Sequence, residues 1–242
     1  MNMKAILRNR PIHLHVHGNS SNRNPGREHL FSGESRWPMA GAVLAVIVLT
    51  VLMPKSLRLG PLWALPFIEG FLLISLIASD PGQITRRSRE LRALSIGLVV
   101  LLAASSLAST GFLIEELISG SANVEESSQL LATGVTVWTG NTLAFALLFW
   151  ELDSRGPAAR ARTLPPYPDF AFPQFTMPDL APPGWRPRFF DFLYLSVTNS
   201  ITFGPTDVMP LAMWAKAGMG LQSLISFAIV GLVIARAVNV FS

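Results

Sequence analysis

Long apolar runs, nearly free of charge, alternate along this chain with short polar stretches. The runs cover residues 37–53, 61–79, 93–114, 130–150 and 211–240, and a shorter, more polar one covers 189–203. Most approach the roughly 20 residues that a helix rising 1.5 Å per residue needs to cross hydrocarbon. Pro54 closes the first run, and Pro61 opens the second at a position that suits the first turn of a helix. Residues 152–188 differ in kind. They are basic at Arg155, Arg160 and Arg162, then rich in proline, which removes backbone donors and prevents a continuous helix. Their aromatic and methionine residues predict a segment lying along the protein or the interface.

Charge assigns sides to these runs, because Lys and Arg gather in cytoplasmic loops. With the N-terminus inside and sides alternating, sixteen Lys/Arg fall inside, and only Lys55, Arg58 and Lys216 fall outside. This predicts an all-α integral membrane protein of about six transmembrane helices, multi-pass in a cell inner membrane, with both termini cytoplasmic. The alternative is five helices plus a re-entrant pore helix. The expected organisation is a flexible basic tail at 1–36, a four-helix membrane region at 37–151, a proline-rich connection at 152–188 and a C-terminal helical pair at 189–242.

Composition narrows the classes. Half of the 242 residues are apolar and 14% are charged, against about 25% charged in soluble domains. The net charge of +4 sits at the ends of apolar runs, so the partner it implies is the lipid bilayer, not nucleic acid. There is no cysteine, which removes disulfides and thiol chemistry. No internal repeat, catalytic triad, carboxylate pair, phosphate loop or metalloprotease motif is present. The chain therefore reads as a non-enzyme without cofactor or metal. His13, His15 and His17 alternate in the tail, and that pattern reads as an incidental polar feature.

Some polar residues lie at membrane depth. Glu69 sits near the middle of the second run, where a charged side chain costs about 2.5–3.5 kcal/mol on insertion scales. It reads either as a proton or cation site facing the bundle interior or as a protonated acid bonded to a neighbouring helix, with Gly70 allowing close approach. Asn141, with Thr133, Thr136, Thr139 and Thr142, forms a polar face on the fourth run. Thr198 and Asn199, with Ser196, Ser200 and Thr202, form another on the run at 189–203. Such faces either line a hydrated path or join helices, each bond then contributing ~0.6 kcal/mol. Gly134 and Gly140 fit close packing. Trp37, Trp63, Trp150 and Trp214 fall near span ends, as interface anchors do.

The last fifty residues, "DFLYLSVTNSITFGPTDVMPLAMWAKAGMGLQSLISFAIVGLVIARAVNVF", resemble the pore region of the potassium-channel superfamily. In that resemblance Tyr194–Ile201 takes the place of the pore helix. Thr202, Phe203, Gly204, Pro205, Thr206 and Asp207 take that of the Thr-x-Gly-Tyr-Gly-Asp filter, and 211–240 that of the inner helix. Pro205 replaces the aromatic residue and Thr206 the second glycine, so the filter is degenerate: proline fixes φ and threonine resists positive φ. The resemblance implies passive permeation of a small cation, through a tetramer if the chain is a channel. Set against it, the charge pattern makes "GPTDVMP" a tight external turn after a full crossing, with Asp207 capping the last helix. Over its whole length the chain is also similar to uncharacterised bacterial multi-spanning membrane families, which implies architecture and no activity. The alternative function is a non-conducting membrane scaffold, or a binder of a ligand or partner through the proline-rich segment.

Overall fold

The computed structural model describes residues 33–84, 88–119, 127–162, 167–204 and 207–241. The expectations for residues 1–32 of the N-terminal tail, its histidines, Pro205 and Thr206 lie outside the described residues. The rest is mostly helical. The long helices are α1 (Trp37–Leu52), α2 (Ala64–Ser79), α3 (Arg89–Ser119) and α4 (Ser127–Leu152). The one-turn helices α5 (Pro157–Arg160) and α6 (Pro173–Thr176) follow, then α7 (Phe189–Thr202) and α8 (Met213–Phe241). Four two-residue strands pair antiparallel: β1 (Glu34–Ser35) with β2 (Gln83–Ile84), and β3 (Phe170–Ala171) with β4 (Met209–Pro210).

Local chemistry sets these limits. Ser88 accepts the Leu91 N–H at 3.0 Å through its hydroxyl and so starts α3. Asp191 accepts the Arg188 N–H at 2.7 Å and closes the N-terminus of α7. Phe203 ends α7 in a left-handed conformation, φ 57°. In the proline-rich segment, backbone turns replace a continuous helix, as its prolines require. Four of its aromatic residues pack together while Tyr167 stays exposed: Phe170 and Phe172 are buried, and Trp185 meets Phe172 and Phe175 edge-on.

Among the described residues, α3, α4 and α8 are long and apolar enough to cross a membrane, and α1 and α2 are shorter apolar helices of 16 residues. The distribution of side chains is that of a membrane protein. Phe67, Phe71 and Ile74 of α2 and Leu224, Phe227 and Ile234 of α8 face outward, while Glu69, Asn141 and Gln222 are fully buried. A soluble fold puts such residues the other way round.

Helix α4 is central and packs against α1, α3, α7 and α8. At one end, named the arginine end below, Arg36, Asp80, Glu151 and Arg160 come together around an aromatic core. There Phe170 contacts Phe149, Phe192 and Trp214 with ring centroids 5.4, 6.2 and 5.5 Å apart. At the far end, Met53, Leu113, Val137 and Val233 share a second apolar cluster. Helices α1, α2, α3 and α4 therefore run alternately between the two ends.

The C-terminal pair breaks that alternation. Phe192 in the first turn of α7 and Trp214 in the first turn of α8 touch the same residue, Phe170, at the arginine end. Farther along, Asn199 bonds to Gln222 and Phe203 stacks on Phe227. The two helices lie parallel. The chain from Phe203 must then come back to the arginine end, where β4 pairs with β3 and the Leu211 N–H donates to the Asp169 carbonyl at 2.8 Å. Residues 209–210 thus lie back at the end where α7 begins. At 14 residues α7 is about 21 Å long, short of the ~30 Å hydrocarbon core. After it, Val208 sits in the apolar core.

Candidate functional site

A polar cluster is buried where α4, α7 and α8 meet. On α7, residues 196, 199 and 200 share one face by helical spacing. On α8, residues 222, 223 and 226 do the same. The Gln222 amide donates to the Ser196 hydroxyl at 2.6 Å and to the Ser200 hydroxyl at 2.8 Å. Asn199 donates through Nδ2 to the Met219 carbonyl at 3.0 Å and to Gln222 Oε1 at 2.9 Å, and its Oδ1 accepts from Ser223 at 3.2 Å. The Ser196 hydroxyl donates to the Thr142 carbonyl at 2.6 Å, and the Thr142 and Ser200 hydroxyls meet at 3.2 Å. This network ties the short helix α7 to both long helices.

Beside it the pairing runs out. Asn141 is fully buried, with neither Oδ1 nor Nδ2 bonded, and the buried Ser226 hydroxyl also has no partner. Glu69, likewise fully buried, has Ser105 Oγ 3.5 Å from Oε1 and nothing on Oε2. No water in hydrocarbon can satisfy such groups.

These residues occupy one level of the bundle. Ser95 donates to Glu151 at 2.6 Å, which fixes the register of the antiparallel helices α3 and α4 at the arginine end. Ten residues farther along each helix come Ser105 and Asn141, both about 15 Å from that pair. Thr142 links that level to Ser196 and Ser200, and they link it to Gln222. The polar layer therefore lies about 15 Å in from the charged end.

The other sequence candidates separate from this layer. Thr198 places its hydroxyl 2.9 Å from the Tyr194 carbonyl of its own helix and does not join the cluster. Thr202 is exposed and lies 2.8 Å from both the Thr198 and Gly204 carbonyls. Phe203 stacks perpendicular to Phe227 at 5.4 Å, and Asp207 is exposed on the return. Among the described residues of the filter-like segment, Phe203 is left-handed and Gly204 does not take positive φ. Gly70 has open space where a Cβ would stand, so close approach is not its role.

Sequence reading missed Gln222, Ser223 and Ser226. Their signal was present: three polar residues spaced to share one face of an otherwise apolar helix. It also misplaced two tryptophans. Trp37 and Trp63 are exposed at helix starts, as interface anchors require. Trp150 is buried and donates to Glu34 at 2.9 Å, and Trp214 donates to Asp169 at 3.2 Å. An indole N–H needs a partner when buried, and the segments flanking the bundle supply carboxylates for both.

The arginine end is held by charge. The Arg36 guanidinium donates to the Asp80 carboxylate and carbonyl, both at 3.0 Å, joining the start of α1 to the end of α2. Glu34 accepts from Trp150 and from the Phe189 N–H, so β1, α4 and α7 are tied through one side chain. Burial pushes the Glu34 carboxyl above its ordinary 4.5, against the opposing effect of those two bonds. Among the described residues, no group of three or more His, Asp or Glu could hold a metal ion. No family model, curated protein or solved structure matches this chain.

Proposed function

We propose that this protein is a channel-like membrane protein in which five helices cross the bilayer and α7 re-enters it, and that it passes a small cation passively. The observation that carries this reading is the parallel packing of α7 and α8 with an extended return between them. A helix that stops inside the hydrocarbon exposes its last carbonyls there, and non-helical backbone is tolerated at that depth only against protein or water. The unpartnered atoms of Asn141, Ser226 and Glu69 at the same level also call for water or an ion.

Five crossings leave the charge bias intact. By chain order, the side of the membrane facing the arginine end receives sixteen of the nineteen Lys/Arg, now including Lys216, while Lys55, Arg58 and Arg236 fall on the other side. The arginine end is then cytoplasmic in a cell inner membrane, α7 enters from the cytoplasm, and the C-terminus lies outside. Thr202, Phe203, Asp207 and Met209 stand exposed on the return. In lipid that surface needs cover, so the chain assembles with copies of itself around a shared axis. The resemblance to the potassium-channel pore region supports four copies, and the degenerate filter supports weak selectivity.

The test is cation flux into liposomes holding the purified full-length protein. Flux well above protein-free liposomes is expected, falling about tenfold or more in Asn199→Leu, which breaks the bonds to Gln222 and Ser223. Wild-type flux at background, from protein that remains folded, would exclude permeation and favour the non-conducting scaffold. Glu69→Gln distinguishes the acid's role: unchanged flux at all pH values assigns it to packing.

A further inference from the structure

At the arginine end, away from the polar layer, a cavity of about 400 Å³ opens between α5 and the stretch at 182–188. Its lining includes Arg160, Arg186, Arg188, Trp185 and Glu34. Arg160 is 2% exposed. One of its nitrogens, Nη1, donates to the carbonyls of Trp150 at 2.7 Å and Asp153 at 2.8 Å, and lies 3.4 Å from the Asp153 carboxylate. Its Cζ stands 4.9 Å from the Phe192 ring centroid. Nε and Nη2 have no partner. A buried guanidinium with two unsatisfied donors is costly, and it stays charged because arginine does not deprotonate in proteins.

The neighbouring acid does not solve this. Both Glu34 oxygens are committed, one to the Trp150 indole and one to the Phe189 N–H. The lining carries three guanidinium groups against one carboxylate. Burial lowers the pKa of Arg160 and of Arg186, the direction that a bound anion reverses. The wall is also stiff. Pro182, Pro183 and Pro187 fix their own φ, and Trp185 is held edge-on by Phe172 and Phe175. Arg186 donates to the Arg160 carbonyl, which holds the two sides together. A preformed fork of guanidinium donors matches the oxygens of a phosphate.

We propose that this cavity binds a phosphate-bearing anion, with Arg160 at its floor and Arg186 and Arg188 beside it. The site lies at the helix ends, the level of lipid headgroups, so the phosphate comes either from an anionic phospholipid or from a soluble phosphate. The proposal does not depend on permeation.

The test uses full-length protein in maltoside micelles, which contain no phosphate. Thermal midpoint is measured with added phosphatidylglycerol, phosphatidylcholine or inorganic phosphate, against chloride at equal ionic strength, and native mass spectrometry counts retained lipid. Stabilisation by phosphatidylglycerol alone assigns the site to an anionic lipid. Stabilisation by inorganic phosphate, displacing the lipid, assigns it to phosphate itself. In either case Arg186→Gln is expected to weaken binding about tenfold or more, as loss of a charge-assisted bond does. Arg188→Gln gives a second readout at an exposed side chain, should Arg186→Gln disturb folding. No midpoint shift with any phosphate compound, or a shift that both variants retain in full, would overturn the proposal.

Discussion

Single side chains decide how the bundle ends are held. The Glu34 carboxyl has its folded pKa raised above 4.5, so the folded state binds its proton more tightly than the unfolded chain does. The contribution of this group to stability is therefore greatest below pH 4.5 and falls as pH rises toward the raised value. In Glu34→Gln that part of the decline should vanish, read as a flatter dependence of thermal midpoint on pH than in the wild type. An identical slope would assign the decline to other carboxylates. Glu69 and Asn141 were legible at this scale, because a polar residue inside an apolar run has few reasons to be there. The partners were not legible. Nothing local announces that Trp150 meets Glu34, 116 positions away, so an indole near a span end read as an interface anchor.

Helix packing rests on a few close approaches. A Cβ at Gly134 would stand 2.7 Å from Val233 Cγ2, so α4 and α8 touch there because Gly134 has no side chain. Gly134→Ala should therefore cost about 1–3 kcal/mol as overpacking, and Val233→Ala in the same chain should restore most of it. Gly140 has open space around its Cβ position, and Gly140→Ala should leave the midpoint unchanged or slightly raised. Equal losses at the two positions would show that the contact with Val233 is not what matters. Both glycines read alike in sequence, since helical spacing gives each a face but not the neighbour that covers it. The long helices were legible from hydropathy, with limits within a few residues. The direction of α7 was not, because an apolar run of 15 residues fits either a short crossing or a re-entrant helix.

At the scale of the whole molecule, the charge pattern and the proposed re-entrant α7 agree, with the proline-rich segment on the cytoplasmic side. Both α7 and α8 begin at the arginine end, where β4 also lies, and the proposed re-entry of α7 rests on that packing. The charge rule is indifferent to this re-entry, since moving Lys216 to one side and Arg236 to the other leaves sixteen against three. What separates the two topologies is the side on which α8 begins relative to the proline-rich segment. The native chain has no cysteine, so Asp179→Cys and Met213→Cys each give a single thiol, at positions exposed in the structure. The decisive measurement is labelling of both with a membrane-impermeant thiol reagent, in intact spheroplasts and in inverted vesicles. The expected result is that both positions label from the same side, only in inverted vesicles. Labelling of position 213 in spheroplasts and of position 179 in inverted vesicles would make α7 a full crossing and contradict the re-entrant fold.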